Sequence, residues 1–176
     1  GSIVFNDADL MATVSAQEGP EVQIGDEYEG GYIFQINEDG TGLVADLQDL
    51  ELMNWDDAMD AAASATSQGY EDWYLPSKDE LYEMYSTIGQ GGPEGDIGGF
   101  NTQRAYWSYS EGNYNYAWYA YFSSSYAGSF GSKANTFRVR VIRSITILES
   151  IESKTYEEDF LEKIIANPDA STSLVV

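Results

Sequence analysis

The side chains of this chain that could move protons are carboxylates, and they come in groups: Asp56, Asp57 and Asp60, then Glu71 and Asp72, then Asp79 and Glu80. Paired carboxylates are the equipment of glycoside hydrolysis, one serving as acid and the other as base or nucleophile. Most of these residues also sit where helix N-termini and solvated turns use acids structurally, so the grouping reads as capping rather than catalysis. The chain has no Cys and no His. That removes thiolate chemistry, disulfides, Cys-type zinc sites and the commonest general base. The expectation is a protein that is not an enzyme and carries no cofactor and no metal.

A second kind of chemistry, recognition, is written more densely. Seven of the fourteen tyrosines lie between Tyr106 and Tyr126, interleaved with Asn, Ser, Gly and Ala. Large rigid rings beside small adaptable hydrogen-bonding groups make up a binding surface. The same aromatic residues favour strands, so an ordinary aromatic-rich sheet is an equal reading of the composition. From Gly112 to Leu148 there is no acid, only the bases Lys133, Arg138, Arg140 and Arg143. The stretch is then a neutral to basic island on an acidic body, free of repulsion toward a partner, or simply a strand-rich third of the chain. The formal charge of −22 opposes a phosphate backbone, so nucleic acid is not an expected partner. No apolar run approaches the roughly 18 residues needed to span a bilayer, and no membrane insertion is expected. Gly1-Ser2 read as a tag remnant.

The elements that must position these groups follow from local signals. Residues 3–23 are acidic and small, with Gly19-Pro20 as linker punctuation and Ile3, Val4 and Phe5 as a possible edge strand. Tyr32–Ile36 and Leu43–Leu47 flank an Asp39-Gly40 turn and predict a hairpin. Asn54 caps a helix predicted from Trp55 to about Ser67 with Gly69 beyond it, its apolar face being Trp55, Ala58, Met59, Ala62 and Ala63. Ser77-Lys78-Asp79-Glu80 is a capping box that opens a second helix on Leu81, Met84, Tyr85 and Ile88. A glycine-rich loop over 90–101 leads to strands around 104–109, 117–122 and 136–142, separated by Gly- and Ser-rich turns. In 117–122 a period of two puts Trp118, Ala120 and Phe122 on one face and Ala117, Tyr119 and Tyr121 on the other, one set core and one exposed. Phe137, Val139 and Val141 likewise alternate with a largely polar set of Arg138, Arg140 and Ile142. Tyr156, Phe160, Leu161, Ile164 and Ile165 share one face of an amphipathic helix over 154–166, and 170–176 read as a tail.

The order of hairpin, helix, Trp73-Tyr74-Leu75-Pro76-Ser77 before a second helix, then Tyr106-Trp107-Ser108 and a closing Val139-Arg140-Val141-Ile142-Arg143, resembles the C-type lectin fold over residues 24–144. It is similar to the branch that contains formylglycine-generating enzymes and bacterial and phage surface proteins. Within that branch, the tyrosine stretch resembles the variable region of proteins diversified by diversity-generating retroelements, which mutate adenines in template codons, chiefly those of Asn. Such substitution reaches Asn, Tyr, Ser, Thr, Ala, Gly and Phe among others, but not Glu, Lys or Trp. From Asn113 to Phe137 only Trp118 and Lys133 fall outside the reachable set. The resemblance implies an α+β, C-type lectin-like fold: two helices packed on short, mostly antiparallel strands with an irregular Gly- and Ser-rich binding face. The expected layout is 1–23 as tag remnant and linker, 24–146 as the lectin-like domain with a variable region about 106–137, and 147–176 as an extension with the amphipathic helix. In such proteins the variable region commonly ends the chain, whereas here 145–176 follow it.

What the resemblance implies for function is display of diversified side chains on one solvent-facing surface that binds a ligand. Carried onto this chain, the ligand-binding set is Tyr109, Asn113, Tyr114, Asn115, Tyr116, Tyr119, Tyr121, Ser123, Ser125, Tyr126, Ser129, Phe130, Ser132, Asn135 and Thr136. Trp107, Trp118, Phe122 and Lys133 are expected as scaffold. The partner is expected to be a protein or glycan on another cell surface, and the location extracellular, on a virion or a cell. The oxidative activity of formylglycine-generating enzymes depends on cysteines, which are missing here. Calcium-dependent lectins use Glu-Pro-Asn or Gln-Pro-Asp loops, which Pro93-Glu94-Gly95-Asp96 does not match. A metal-free carbohydrate-binding adhesin, or a structural virion or surface module without diversification, is the alternative.

Overall fold

Local signals in the sequence begin most of the elements, and two sheets collect them. The computed structural model describes residues 22–123 and 125–147. Val22–Thr146 form one compact unit. The second unit, Gly1–Glu21 with Ile147–Val176, lies outside the described residues but for Ile147. The expected edge strand at Ile3–Phe5 and the amphipathic helix over 154–166 fall in that part of the chain.

The described residues hold nine strands in two sheets and two α-helices, an α+β architecture. The first sheet has the order β1-β2-β3-β9, with β1 Glu27–Tyr28, β2 Gly31–Ile36, β3 Thr41–Asp46 and β9 Ile142–Thr146, all antiparallel. β2 and β3 are the hairpin that Asp39-Gly40 predicts, and Gly40 turns it with φ of 80°. The second sheet has the order β4-β8-β5-β6-β7, from Leu50–Met53, Phe137–Val139, Ala105–Asn113, Tyr116–Phe122 and Tyr126–Ser132. Only the β5–β8 pairing is parallel.

α1 (Trp55–Ala63) starts on Asn54, whose side chain accepts the Asp57 N–H at 3.0 Å. It is shorter than expected and buries a narrower stripe, Trp55, Ala58 and Ala62, leaving Met59 and Ala63 exposed. A 3-10 turn at Ser67–Gly69 follows, with Gln68 at φ 54° and Gly69 at φ 84°. α2 (Lys78–Thr87) carries the full capping box: Ser77 Oγ accepts the Glu80 N–H at 3.1 Å, and the Glu80 carboxylate accepts the Ser77 N–H at 2.7 Å. Leu81, Met84, Tyr85 and Ile88 are all buried, as their spacing predicts.

Three expectations about the strands change. The segment read as one strand over 136–142 is two, because the chain leaves the five-stranded sheet after Val139 and enters the four-stranded sheet at Ile142. Its largely polar face is not a solvent face, since Arg140 and Ile142 are buried along with Val139 and Val141. The Gly- and Ser-rich stretch from Tyr126 to Ser132, read as turn, is the strand β7, paired to β6 over seven consecutive positions.

The interior has two apolar clusters. One joins Trp55, Ala58 and Ala62 of α1 to Ile33, Val44, Trp73, Leu75, Trp107, Ala117, Val139 and Val141. The other joins the buried face of α2 to Phe34, Ala45, Phe100, Tyr106, Ala120, Phe122 and Ile142. β6 contributes to both, so its two faces are each partly covered. The expected division of 117–122 into one core face and one exposed face therefore does not hold.

Candidate functional site

The aromatic stretch becomes the antiparallel run β5, β6 and β7, with an exposed tip at Asn113–Tyr116 between the first two strands. The tip is closed locally: Asn113 Oδ1 accepts the Asn115 N–H at 2.9 Å. Tyr114, at 90% exposure, makes no use of the core. Tyr109, Tyr116, Tyr121 and Phe130 are also exposed. Five large rings in solvent within one sheet region is an arrangement that stability does not require.

Cross-strand register decides which of them meet. Tyr116, Trp118, Ala120 and Phe122 stand opposite Ser132, Phe130, Gly128 and Tyr126. Ala117, Tyr119 and Tyr121 stand opposite Gly131, Ser129 and Ala127. Opposed residues share a face, so the expected site residues fall on both sides of the sheet rather than on one surface.

On the first side α2 covers Ala120 and Phe122. The Tyr126 ring meets Tyr82 of α2 edge-on at 5.2 Å and Tyr85 at 5.2 Å. Burial is the main cause that raises the Tyr126 phenol above the ordinary tyrosine range. Beyond the helix, Phe130 packs edge-on against Trp118 at 5.1 Å and remains exposed. Glycines make the room, since a Cβ at Gly128 would overlap the Trp118 indole and one at Gly112 would stand 2.7 Å from the Phe130 ring.

On the second side Tyr121 is exposed, while Tyr119 is half-buried against Phe137 at 4.6 Å and Trp107 at 6.3 Å. The two tyrosines meet edge-on at 6.0 Å. Ser129 is exposed on this side, and Asn135 and Thr136 are exposed in the connection to β8. Ser123 and Ser125 lie in the β6–β7 turn, where Ser123 Oγ donates to the Ser125 carbonyl at 2.9 Å. Tyr109 belongs to neither group: its N–H donates to the Pro76 carbonyl at 2.8 Å, where β5 leaves register with β6.

The expected scaffold residues are held from several directions. Trp107 and Phe122 are fully buried. Lys133 sets its Nζ 2.6 Å from Glu111 and 3.9 Å above the Trp55 ring, a cation–π contact. Its N–H donates to the Asn115 carbonyl at 2.9 Å, and its carbonyl accepts the Trp55 N–H at 3.0 Å. One residue thus ties the hairpin tip to the start of α1.

The bases of the acid-free stretch do not make the surface basic. Arg140, 2% exposed, donates from Nε to Asp49 at 2.8 Å and from Nη1 to the carbonyls of Asp46 and Gly98 at 3.0 and 2.9 Å. Asp49 also takes Arg138 at 3.3 Å and the Tyr106 hydroxyl at 2.8 Å. Tyr106 is pushed well above the usual tyrosine range, first by burial and then by the Asp49 charge. Arg143 donates to Asp72 at 2.7 Å and stacks 3.8 Å from the Tyr70 ring. Its hydrogen bond holds the Asp72 carboxyl below the usual range. With Lys133 on Glu111, all four bases are ion-paired within the protein, which corrects the reading of a basic island.

Two features escaped the sequence. Tyr82, exposed on α2 beside Tyr126, extends the aromatic surface outside the tyrosine stretch, and its only signal was an aromatic off the apolar face of that helix. β7 gave no strand signal, for four of its seven residues are Gly or Ser. Chemically the region offers ring faces, hydroxyls and amides. Among the described residues no three His, Cys, Asp or Glu gather where they could hold a metal ion.

A search among curated proteins finds no match to this chain. A family model described as the Lcl C-terminal domain matches residues 35–143, from the second strand to the ninth.

Proposed function

The chain belongs to the Lcl C-terminal domain family, the C-type lectin-fold variable-protein domain of diversity-generating retroelements, and from that premise we propose that it is a receptor-recognition module rather than an enzyme. Its ligand-binding surface is the Tyr-, Asn- and Ser-rich region of β5–β7 and their connections, carried on a C-type lectin scaffold at the surface of a virion or cell. The observation that carries this reading is the exposure of Tyr109, Tyr114, Tyr116, Tyr121 and Phe130 in a stretch whose remaining large rings are packed. Affinity then comes from burial of a few rings, with neutral hydroxyls and amides setting orientation.

Diversification of that surface is supported by the two residues that adenine substitution cannot reach. Trp118 and Lys133 are both structural, one seated over Gly128 and the other bridging Glu111, Trp55 and the hairpin tip. The partner is a protein or glycan on another cell.

The test is a surface-protein capture comparing the wild type with a Tyr114→Ser, Tyr121→Ser, Phe130→Ser variant. Tyr119 stays in place, because its packing on Trp107 and Phe137 would confound binding with stability. Loss of captured ligand by a variant that still unfolds cooperatively above the assay temperature is the expected result; equal capture by both proteins would sink the reading. Flanking genomic sequence tests diversification separately. A template repeat differing from this stretch only at adenines, beside a reverse transcriptase gene, supports it, and mismatches scattered over other bases remove it.

A further inference from the structure

The two sheets have four edges, and three of them are protected. β1 is two residues long. β4 is four residues long, carries Glu51 and has a register shift. β9 is bridged at Ile142 by Tyr74, with reciprocal N–H to carbonyl bonds of 2.9 and 3.0 Å. β7 has none of these features. It spans seven residues, Tyr126 to Ser132, without a charge, a proline or a register shift, and among the described residues no strand pairs with its outer side. Short length, charge, bulges and covering segments are how proteins keep sheet edges from recruiting strands. A long, regular, uncharged edge presents a free row of main-chain donors and acceptors.

This edge also separates the two groups of exposed side chains. Phe130 and Tyr116 stand on one side of the sheet, Tyr121 and Ser129 on the other. A single ligand can reach both across β7, the edge that lies between them. We propose that β7 is a docking edge for an extended segment of a polypeptide ligand, which adds as a further strand and so makes the partner a protein rather than a glycan. This rests on the recognition reading above and gives its ligand a chemistry. Alternate side chains of the added strand lie beside Gly128 and Phe130 on one side and beside Ala127 and Ser129 on the other. On one side Ala127 leaves the Tyr121 ring as a wall for them, and on the other the Trp118 indole over Gly128 and the Phe130 ring line the row. An extended main chain repeats its own N–H and C=O groups with the spacing of the edge, which sugar hydroxyls do not. A second copy of this chain is the weaker occupant, because each copy brings a formal charge of −22.

The full chain is screened on an array of linear peptides of about ten residues and on an array of neutral and sulfated oligosaccharides. Peptides are expected to be retained. In a retained peptide, N-methylation of every second residue weakens binding about tenfold per site, and methylation of the intervening residues has little effect. Amide exchange in 126–132 slows at alternate positions on binding. Retention of no peptide, retention of oligosaccharides alone, or an N-methyl scan without a period of two overturns the proposal. So does a dimer by light scattering whose β7 amides are protected without peptide. The Tyr121→Ser, Phe130→Ser variant separates the two ideas. Oligosaccharide binding that this variant loses leaves recognition standing and removes strand addition. A period-two peptide that the variant binds unchanged leaves strand addition standing and removes the tyrosine face.

Discussion

Asp49 holds three donors at once. Oδ1 takes Arg140 at 2.8 Å, while Oδ2 takes the Tyr106 hydroxyl at 2.8 Å and Arg138 at 3.3 Å. Arg140 is nearly fully buried, so removing the carboxylate strands a guanidinium away from water, and such losses cost about 3–5 kcal/mol. Asp49→Ala is expected to lower stability by that order in urea denaturation, while Asp96→Ala, on the glycine-rich loop, costs less. The Asp72–Arg143 pair differs, because the Asp72 side chain is 56% exposed and its bond is screened by water. Its effect is read best through pH. Arg143 lowers the folded-state pKa of Asp72, so the pair's contribution is present above the unfolded carboxylate pKa and is lost as pH falls through the folded value. The stability gap between wild type and Asp72→Asn, measured by chemical denaturation, should therefore be constant near neutrality and shrink below about pH 4. A gap that widens in acid would contradict the assignment. Neither pairing is legible in the sequence, which shows an Arg-bearing stretch without acids. The partners lie 91 and 71 positions away, and only the fold brings them together.

Elements whose signals are local were legible, and those that depend on a neighbour were not. The Ser77–Glu80 box, the Asn54 cap and the Asp39-Gly40 turn act within a few residues, and both helices and the hairpin stand where these place them. β7 has Gly, Ser and Ala at five of its seven positions and is a strand because β6 offers it a complete ladder. Its glycines Gly128 and Gly131 make room for the Trp118 and Tyr119 rings of β6. Gly128 lies under Trp118, so the position is open in the codon sense but closed sterically. Gly128→Val is expected to displace the indole and cost about 1–3 kcal/mol, seen as a lower melting temperature with a shift in tryptophan emission. Ala127→Val, one residue away and exposed on the opposite side, is the control and should be close to neutral. Because valine favours strands over both glycine and alanine, a Gly128→Val protein as stable as Ala127→Val would mean that the Trp118 contact does not limit the position. The scatter of the expected site residues over two faces has the same origin: a period of two sorts neighbours along one strand, but what covers each face depends on α2 and the first core cluster.

At the scale of the molecule, two electrostatic effects compete. Nineteen acids lie between residues 22 and 147 against six bases, and Glu29, Asp49, Asp72 and Glu111 take the ion pairs formed there. Salt weakens exposed ion pairs, which alone would lower stability, and it also screens repulsion among the remaining acids, which would raise it. Burial decides between them. The Arg140–Asp49 pair is 2 and 10% exposed, so solvent ions reach it poorly. The pairs at Asp72 and Glu111, whose carboxylates are 56 and 51% exposed, are already screened by water and have little left for salt to remove. Acids such as Asp56, Asp57, Asp60, Glu71 and Asp79, by contrast, are exposed and, among the described residues, unpaired with a base. Repulsion is therefore the part that salt removes. The melting temperature should rise by a few degrees between about 50 and about 500 mM sodium chloride. Ligand binding through the neutral rings and hydroxyls of β5–β7 should change much less over the same range, because those strands contain no base and Lys133, Arg138, Arg140 and Arg143, which follow them, are ion-paired within the protein. A melting temperature that falls with salt would place the balance on the ion pairs instead. Affinity that collapses with salt would show that the acidic rim, and not the aromatic surface, holds the partner.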